Sequence, residues 1–234
     1  MQRPGSPSER LVIAMDTADM QHAMALARAV SPFCGMFKLG LEFFAAHGPS
    51  GVGAFSNKSI CLDLKLHDIP NTVSGAVKAL LPLKPGVLTL HAAGGRAMIQ
   101  AAREASETGC SDRPLLLAVT VLTSLTGAEL SDSGVSGSPA TQVVRLAQLA
   151  LRAGADGLVC SPLEVEALRT AIGSEPLLLV PGVRPQGSAT DDQARVMTPR
   201  EAIDAGADWI VVGRPITRHA DPGSVARAII EQLR

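Results

Sequence analysis

The chain of 234 residues has few aromatic residues and almost no net charge. Phe, Trp and Tyr make up 3% of it, with one tryptophan and no tyrosine, which argues against sites built on stacked aromatic faces. The net charge of −1 lacks the basic footprint of nucleic-acid-binding proteins, so no nucleic-acid partner is predicted. No run of 18 apolar residues occurs, and no membrane partner is predicted either.

The chain also lacks paired cysteines and a recognisable targeting segment. Its four cysteines, Cys34, Cys61, Cys110 and Cys160, are separated in sequence and form no CxxC pair. Three lie in or beside apolar runs, where a reduced cysteine acts as a small hydrophobic side chain, as in proteins of reducing compartments. Residues 1–10 are polar and contain proline, unlike a signal peptide. We therefore predict a flexible N-terminal tail over residues 1–10 of a cytoplasmic protein.

The chain does contain enough apolar residues for a large core, at 46% against 18% charged residues. From Leu11 onward, short apolar runs alternate with longer stretches of helical periodicity, which indicates βαβ units and a parallel sheet. Eight such units in about 250 residues are typical of a closed barrel. No linker divides the chain, so the predicted fold class is α/β, a single-domain (β/α)8 TIM barrel over residues 11–234.

The pattern also predicts the individual elements. The predicted strands are Leu11–Met15, Met36–Leu39, Ser59–Leu64, Gly86–Leu90, Leu115–Thr120, Gly157–Cys160, Leu177–Val180 and Trp209–Val212. The predicted helices lie near Ala18–Val30, Asn71–Leu81, Arg96–Thr108, Ala140–Ala153, Leu163–Ile172, Pro199–Ala205 and Ser224–Leu233. A further short helix is expected within Glu42–Asn57, where three glycines weaken the helical pattern.

Two helix starts and a short repeat support this arrangement. The segments 161–164 (SPLE) and 198–201 (TPRE) each combine a capping box with proline at the first helical position. The segment Ala-Gly-Ala-Asp at 153–156 recurs 52 residues later at 205–208, each copy leading into an apolar run. Stacked βα units produce such repeats, but any turn from helix to strand also favours these residues, and both interpretations stay open.

The segment 63–72 (DLKLHDIPNT) carries charges at the end of a predicted buried strand. Alternation with a period of two places Cys61, Asp63 and Lys65 on one strand face. Burying two charged side chains on a strand costs free energy unless they pair with each other or bind a ligand. A structural Asp–Lys ion pair is the simpler interpretation.

Polar residues at the other strand ends favour an active site instead. In a β/α barrel, the catalytic residues lie at the C-terminal ends of the strands. His91 also ends a predicted strand, but a lone histidine there is often a core residue. Five converging charges are more than one structural ion pair requires. The residues predicted to converge are Asp16, Lys38, Asp63, Lys65 and Asp68.

A second signal lies after the last two predicted strands. Arg184 follows the seventh strand, Gly213 and Arg214 follow the eighth, and a polar loop over 185–197 separates them. Barrels frequently bind phosphate at this place. Glycine lets backbone N–H groups approach an anion, Arg214 offers a forked donor, and Gln193 adds another donor. The loop composition suggests a lid over a ligand; a solvated surface loop is the alternative.

Together these residues resemble the orotidine 5′-phosphate decarboxylase family. The segment 63–72 matches the family signature closely, and further matches follow in the family's order along nearly the whole chain. The glycine-rich segment 48–58 is the least typical region. The further matches are Leu11–Asp16, Phe37–Gly40, Val119–Ser124, Pro181–Pro185, Asp192-Gln193 and Val212–Thr217.

The resemblance implies decarboxylation of orotidine 5′-monophosphate (OMP) to UMP in de novo pyrimidine biosynthesis, with no metal or other cofactor. It implies that Lys65 stabilises the C6 carbanion and donates the proton, within a charged network with Lys38, Asp63 and Asp68. It further implies a homodimer in which Asp68 reaches the neighbouring subunit's site. The substrate-binding residues it implies are Asp16, Lys38, Asp63, Ile69, Thr72, Thr123, Arg184, Gln193, Gly213 and Arg214.

Three other functions stay open. A related barrel that acts on a sugar phosphate, such as a keto-gulonate-phosphate decarboxylase or a hexulose-phosphate synthase, has a similar Asp-x-Lys-x-x-Asp core but requires Mg²⁺. A Schiff-base aldolase would use Lys65 as a nucleophile. A nucleotide sensor on a barrel scaffold would bind UMP without turning over OMP.

Overall fold

Eight parallel strands close into a barrel. The structure, a computed structural model, describes residues 3–108, 112–185 and 197–234. Each strand pairs with its sequence neighbours, and the first pairs with the last. The predicted (β/α)8 barrel is confirmed, and all eight predicted strands are present with ends that differ by at most two residues. They are β1 (Leu11–Ala14), β2 (Met36–Gly40), β3 (Ser59–Leu66), β4 (Val87–His91), β5 (Leu115–Val119), β6 (Gly157–Val159), β7 (Leu177–Pro181) and β8 (Trp209–Val212).

The helices follow the strands as predicted, with three short additions. The described helices are α1 (Pro7–Arg10), α2 (Met20–Val30), α3 (Leu41–Gly53), α4 (Pro70–Leu80), α5 (Gly95–Ser106), α6 (Gly127–Asp132), α7 (Pro139–Arg152), α8 (Val165–Ile172), α9 (Pro199–Asp204), α10 (Arg214–Thr217) and α11 (Pro222–Gln232). Of these, α1, α6 and α10 were not predicted. The signal for α6 was a capping box between Thr126 and Glu129, which the structure contains. The helix expected within 42–57 is interrupted at Gly48, whose φ of 56° leaves the helical region before Pro49.

Alternation along the strands produces two apolar layers. On β1, Leu11 and Ile13 face the helices, whereas Val12 and Ala14 face the barrel interior. Apolar side chains fill the interior below the C-terminal ends of the strands, so the polar groups at those ends lie above a packed core. The interior layer consists of Val12, Ala14, Met36, Cys61, Val87, Leu117, Val119, Val159, Leu179, Trp209 and Val211.

Residues 3–10 differ from the predicted loose tail. Ser6 and Glu9 form a capping box at the start of α1. The guanidinium of Arg3 lies 2.8 Å from the Asp208 carboxylate and donates to the backbone oxygen of Ser174 at 2.7 Å. These contacts join the segment to the N-terminal end of the barrel, a role that its polar composition did not reveal.

The repeated Ala-Gly-Ala-Asp segments have equivalent structures. Asp156 accepts the N–H of Leu116, and Asp208 accepts the N–H of Leu178, each at 2.8 Å. An arginine from the helix before the neighbouring strand binds each carboxylate: Arg103 of α5 contacts Asp156 at 3.1 Å, and Arg169 of α8 contacts Asp208 at 2.8 Å. The repeated contacts favour stacked βα units over a shared turn composition, and they tie neighbouring strands together at the end of the barrel away from the predicted site.

The described cysteines are buried free thiols, as expected of small hydrophobic side chains. They are Cys34, Cys61 and Cys160. Burial raises the pKa of Cys34 to about 12 and raises the pKa of the other two thiols as well. Cys110 lies outside the described residues. Among the helices that the structure describes, none has the length and apolar content needed to cross a membrane.

Candidate active site

Lys38 lies between two carboxylates at the top of the barrel. Its Nζ is 2.9 Å from Oδ1 of Asp16 and 3.3 Å from Oδ2 of Asp63. Strand pairing brings the three together, because Ala14 is opposite Lys38 and Asp63 is opposite Gly40. Burial alone lowers the pKa of the Lys38 ammonium, but the two carboxylates outweigh it and raise the pKa above its ordinary value. Lys38 is therefore a buried cation that its partners keep charged.

Asp63 connects the two lysines. Its Oδ1 accepts hydrogen bonds from Nζ of Lys65 at 2.8 Å and from Oγ1 of Thr89 at 3.0 Å, while Oδ2 faces Lys38. Burial alone raises the pKa of this carboxyl, but the two ammonium groups outweigh it and hold the pKa below its ordinary value. The charges alternate along Asp16, Lys38, Asp63 and Lys65, so the predicted convergence is confirmed for these four residues.

Lys65 occupies an irregular backbone position. The prediction that Lys65 shares a strand face with Cys61 and Asp63 is confirmed, since the leucines that alternate with them pack in the outer apolar layer. The strand is nevertheless irregular, because β3 bulges between the pairs Leu62–Leu88 and Leu66–Leu90. Lys65 has a φ of 50°, in the left-handed region that residues with a Cβ rarely adopt. Its side chain is 38% exposed, against 10% for Lys38. Of the two lysines, Lys65 is thus the one accessible from outside the barrel.

Asp68 lies apart from this network within the chain. Its Oδ1 accepts the N–H of Ile69 at 2.7 Å, and the carboxylate is exposed. It takes part in none of the salt bridges that join Lys38 and Lys65 to their partners in the described part of the chain. Ile69 and Thr72 are also exposed, at the start of α4, and Thr123 is exposed after β5. The structure therefore brings none of these four residues into direct contact with the charged network.

The two predicted phosphate-binding arginines follow neighbouring strands. Arg184 lies just after β7 and is buried, and Nη1 donates to the backbone oxygen of Val183 at 3.1 Å. Gly213 follows β8, and Arg214 begins α10. Since β7 and β8 pair directly, both residues lie at the same part of the barrel rim. Gln193 lies outside the described residues, as does most of the predicted lid, residues 186–196.

Across residues 3–108, 112–185 and 197–234, no group of three or more His, Cys, Asp or Glu side chains is arranged to hold a metal ion.

Comparison with known proteins identifies the family. The model of the "Orotidine 5'-phosphate decarboxylase / HUMPS family" matches residues 9–229. The chain belongs to this family. A relative named orotidine 5'-phosphate decarboxylase from Gluconobacter oxydans (strain 621H) is 54% identical over 228 residues, 96% of this chain and 97% of the relative. One with the same name from Anaeromyxobacter sp. (strain K) is 53% identical over 229 residues, 97% of this chain and 99% of the relative.

Solved structures agree with this assignment. The crystal structure of orotidine 5'-phosphate decarboxylase from Lactobacillus acidophilus matches with a TM-score of 0.85 and 36% identity, covering 97% of this chain and 99% of that one. An uncharacterized conserved protein from Geobacillus kaustophilus matches with a TM-score of 0.83 and 33% identity, covering 96% and 100%. The predicted resemblance to the orotidine 5′-phosphate decarboxylase family is confirmed.

Two further residues lie beside the charged network, and neither was predicted as part of the site. Gly40 follows Lys38 by two residues, and a Cβ there would lie 2.7 Å from Oδ1 of Asp16 and 3.3 Å from Nζ of Lys38. Gly40 belongs to the family match Phe37–Gly40, but no pattern in the sequence indicated its contact with Asp16. Thr89 lies on β4 and contacts both Asp63 and the backbone of Lys65. A threonine in a strand carries no such signal, because threonine is a common strand residue.

The weaker candidate, His91, forms a stacked pair with His67. The ring centroids are 5.2 Å apart, and the planes are inclined by 13°. Nδ1 of His91 accepts the N–H of Ala93 at 3.2 Å. Burial, together with the charges of His67 and Lys65, lowers the pKa of His91. His91 therefore lies beside the site as a packed ring, and a direct role in the chemistry stays a prediction.

Proposed function

We propose that this chain converts OMP to UMP by decarboxylation, with Lys65 as the group that acts on the substrate. One observation carries the proposal: a chain of alternating charges, centred on the enclosed Lys38 and Asp63 and ending in an accessible lysine, lies at the C-terminal end of a barrel of the orotidine 5′-phosphate decarboxylase family. That end of the barrel is where enzymes of this fold hold their active sites.

The proposed chemistry suits a fixed ammonium group. Breaking the bond between C6 of the pyrimidine and its carboxylate carbon releases CO2 and leaves the electron pair on C6. No adjacent carbonyl delocalises that pair, so a preorganised positive charge must stabilise it. The Lys65 ammonium has this charge, and it then transfers a proton to C6 to complete UMP. The neutral amine regains its proton from solvent.

Asp63 and Lys38 hold the ammonium in place in this proposal. The 2.8 Å contact between Asp63 and Lys65 limits where Nζ can move, and Lys38 on the other side of Asp63 fixes that carboxylate in turn. A catalytic charge that is already oriented does not need to be reorganised as the carbanion forms. The network therefore acts through orientation as well as charge.

The nucleotide would extend from Lys65 towards β7 and β8. Arg184 and Arg214 follow these paired strands, and forked guanidinium groups bind phosphate oxygens in pairs. Gly213 would allow close approach of the backbone. Asp16 would bind a ribose hydroxyl, because it is exposed while held by Lys38. Ile69, Thr72, Thr123 and Gln193 remain proposed contacts from the family resemblance.

We further propose that the active enzyme is a homodimer in which Asp68 completes the partner's site. The carboxylate of Asp68 is exposed, and among the described residues it makes only a local hydrogen bond, to the N–H of Ile69. Ile69 and Leu41 are 68% and 64% exposed, large values for apolar side chains that directly follow site residues. An interface that covers them would remove apolar area from water.

The sugar-phosphate alternative is not favoured. Eight relatives at 44–54% identity are all named orotidine 5'-phosphate decarboxylase. The Schiff-base and sensor functions have no comparable support. Activity without a cofactor and a cytoplasmic location stay predictions.

A single assay tests the proposal against its alternatives. Purified protein is treated with EDTA, OMP is added, and the loss of OMP absorbance is followed. We expect turnover that EDTA does not reduce. Turnover that returns only with added Mg²⁺ would support the metal-dependent alternative, and UMP binding without any turnover would support a sensor. Borohydride trapping of a carbonyl substrate on Lys65 would indicate the aldolase.

A further inference from the structure

The hydroxyl of Thr89 joins the backbone and the side chain of Lys65. Thr89 is 0% exposed in the middle of β4, and its Oγ1 accepts the N–H of Lys65 at 2.9 Å. The same hydroxyl donates to Oδ1 of Asp63 at 3.0 Å. Oδ1 of Asp63 also accepts the hydrogen bond from Nζ of Lys65 at 2.8 Å. One hydroxyl therefore closes a ring that holds Lys65 at both its backbone and its ammonium group.

The bulge in β3 explains why this hydroxyl is needed. Between the pairs Leu62–Leu88 and Leu66–Leu90, residues 63–65 of β3 lie opposite Thr89 alone. The extra residues interrupt the hydrogen-bond ladder, and Lys65 takes its left-handed conformation there. A backbone N–H in a buried strand requires a partner. The side chain of Thr89 replaces the strand carbonyl that regular pairing would supply.

Threonine suits this place for two reasons. A hydroxyl has one donor and two acceptor lone pairs, so it can accept from Lys65 and donate to Asp63 at the same time. The β-branch restricts χ1, which limits the directions in which the hydroxyl can point. Valine has nearly the same shape without either hydrogen bond, and serine has the hydroxyl without the branch.

We propose that Thr89 is a positioning residue for decarboxylation, which stabilises the bulge and directs the Lys65 ammonium towards the reacting carbon. The inference rests on the proposed function of Lys65. In this proposal Thr89 does not contact the substrate and does not transfer the proton to C6. It acts through the backbone of Lys65 and the carboxylate of Asp63. Its effect should therefore fall on the chemical step rather than on nucleotide binding, since the proposed phosphate contacts lie beyond the ends of β7 and β8.

The test compares Thr89→Val and Thr89→Ser with the wild type, in kcat and KM for OMP and in Kd for UMP. We expect Thr89→Val to lose about 100-fold in kcat, the effect of a small misplacement of a catalytic group. KM and the UMP Kd should stay within roughly threefold, because nucleotide binding is not altered. Thr89→Ser should recover most of kcat. Ser106→Ala is the matched control, since it removes another fully buried hydroxyl, on α5, and should leave kcat unchanged.

Two results would overturn the inference. One is a kcat for Thr89→Val close to the wild-type value. The other is an equal loss of kcat and UMP affinity in both Thr89 variants, which would indicate general disruption. If Thr89→Val does not fold, Thr89→Ala and Thr89→Ser are compared in the same way, and equal kcat values overturn the inference. A wild-type protein that does not turn over OMP would instead refute the proposed function itself, and with it this role.

Discussion

Nζ of Lys65 lies 2.8 Å from Oδ1 of Asp63, so the accessible lysine of the site is bound to its most enclosed carboxylate. The side chain of Asp63 is 13% exposed, against 52% for Asp16 at the other end of the network. The arrangement fixes the direction of the ammonium while leaving it open to a ligand. It makes Lys65 the first residue to test.

Replacing Lys65 with alanine should remove turnover and retain product binding. The variant lacks both the positive charge for the carbanion and the proton donor, so we expect kcat to fall by at least about 10³-fold. The UMP Kd should change little, because the proposed phosphate contacts lie elsewhere. Lys78→Ala, on the exposed face of α4, is the matched control and should have wild-type activity. Substantial turnover by Lys65→Ala would refute its assigned role.

Replacing Arg214 with alanine should weaken binding of the nucleotide more than binding of the nucleoside. Hydrogen bonds to charged groups contribute about 1.5–3 kcal/mol each, which corresponds to roughly a 10- to 100-fold weaker UMP Kd. Uridine, which lacks phosphate, should bind the variant and the wild type alike in calorimetric titrations. Arg28→Ala, on α2, provides the control. Equal losses for UMP and uridine would exclude Arg214 from phosphate binding.

Replacing Gly40 with alanine should disrupt the contact between Asp16 and Lys38. The added Cβ would lie 2.7 Å from the Asp16 carboxylate, which must move because the backbone of β2 is held by its neighbours. We expect a loss of about 1–3 kcal/mol in unfolding free energy, typical of overpacking, and a lower kcat/KM for OMP. Gly75→Ala on α4 is the control: its Cβ would meet nothing within 4 Å, so stability should rise by about 0.4–1 kcal/mol. Unchanged kcat/KM in Gly40→Ala would contradict the expected displacement.

Alternation and residue type predicted the parts of this molecule that depend on local sequence. The eight strands and the convergence of Asp16, Lys38, Asp63 and Lys65 followed from apolar periodicity and from charges at strand ends. The left-handed backbone of Lys65 could not be predicted in this way, because Leu64-Lys65-Leu66 has the composition of a regular strand. The bulge that produces it depends on pairing with β4, a contact 24 residues away in sequence.

Other parts lacked a local signal as well. The importance of Gly40 depends on a carboxylate brought near from β1, and the contacts of Arg3 depend on Asp208 at the far end of the chain. The proposed role of Asp68 in a partner's site is likewise not encoded in any pattern along one strand or helix. Contacts between residues far apart in sequence determine the roles of Gly40 and Arg3, and a single sequence does not display them.

Replacing Asp156 with asparagine should destabilise the barrel without affecting its chemistry. Asp156 is 15% exposed, and its carboxylate binds Arg103, Arg113 and the N–H of Leu116 at the end of the barrel away from the site. Leaving two guanidinium groups without this charge should reduce the unfolding free energy by about 2–4 kcal/mol at pH 7. Urea unfolding measures this loss, and OMP turnover should be unchanged. Asp204→Asn is the control, since it removes an exposed pair with Arg200 and should cost less than about 0.5 kcal/mol.

The same carboxylate should make stability depend on pH. Burial alone raises the pKa of Asp156, but Arg113, the Leu116 N–H and Arg103 outweigh it, and the pKa in the folded protein is below its ordinary value. A carboxyl with a lowered folded pKa stabilises the protein fully above its unfolded pKa, near about 3.9, and this stabilisation is lost as the pH falls through the folded pKa. The difference in unfolding free energy between wild type and Asp156→Asn should therefore shrink below about pH 4. A difference that stays constant down to pH 3 would contradict this role.

Mixing two inactive variants tests whether Asp68 acts across a dimer interface. Asp68→Ala and Lys65→Ala should each be inactive alone, because every site then lacks one of the two groups. If Asp68 serves the partner's site, a hybrid dimer has one site with both residues intact and one with neither. An equal mixture that exchanges subunits freely should then recover about a quarter of wild-type activity, since half the dimers are hybrids and each hybrid has one intact site of two.

Two controls accompany this mixing experiment. Sedimentation verifies that the mixture is dimeric. Mixing Lys65→Ala with Lys38→Ala should restore no activity, because both residues are placed in the same subunit's site. No recovery in the Asp68 mixture, with subunit exchange demonstrated, would assign Asp68 to its own subunit.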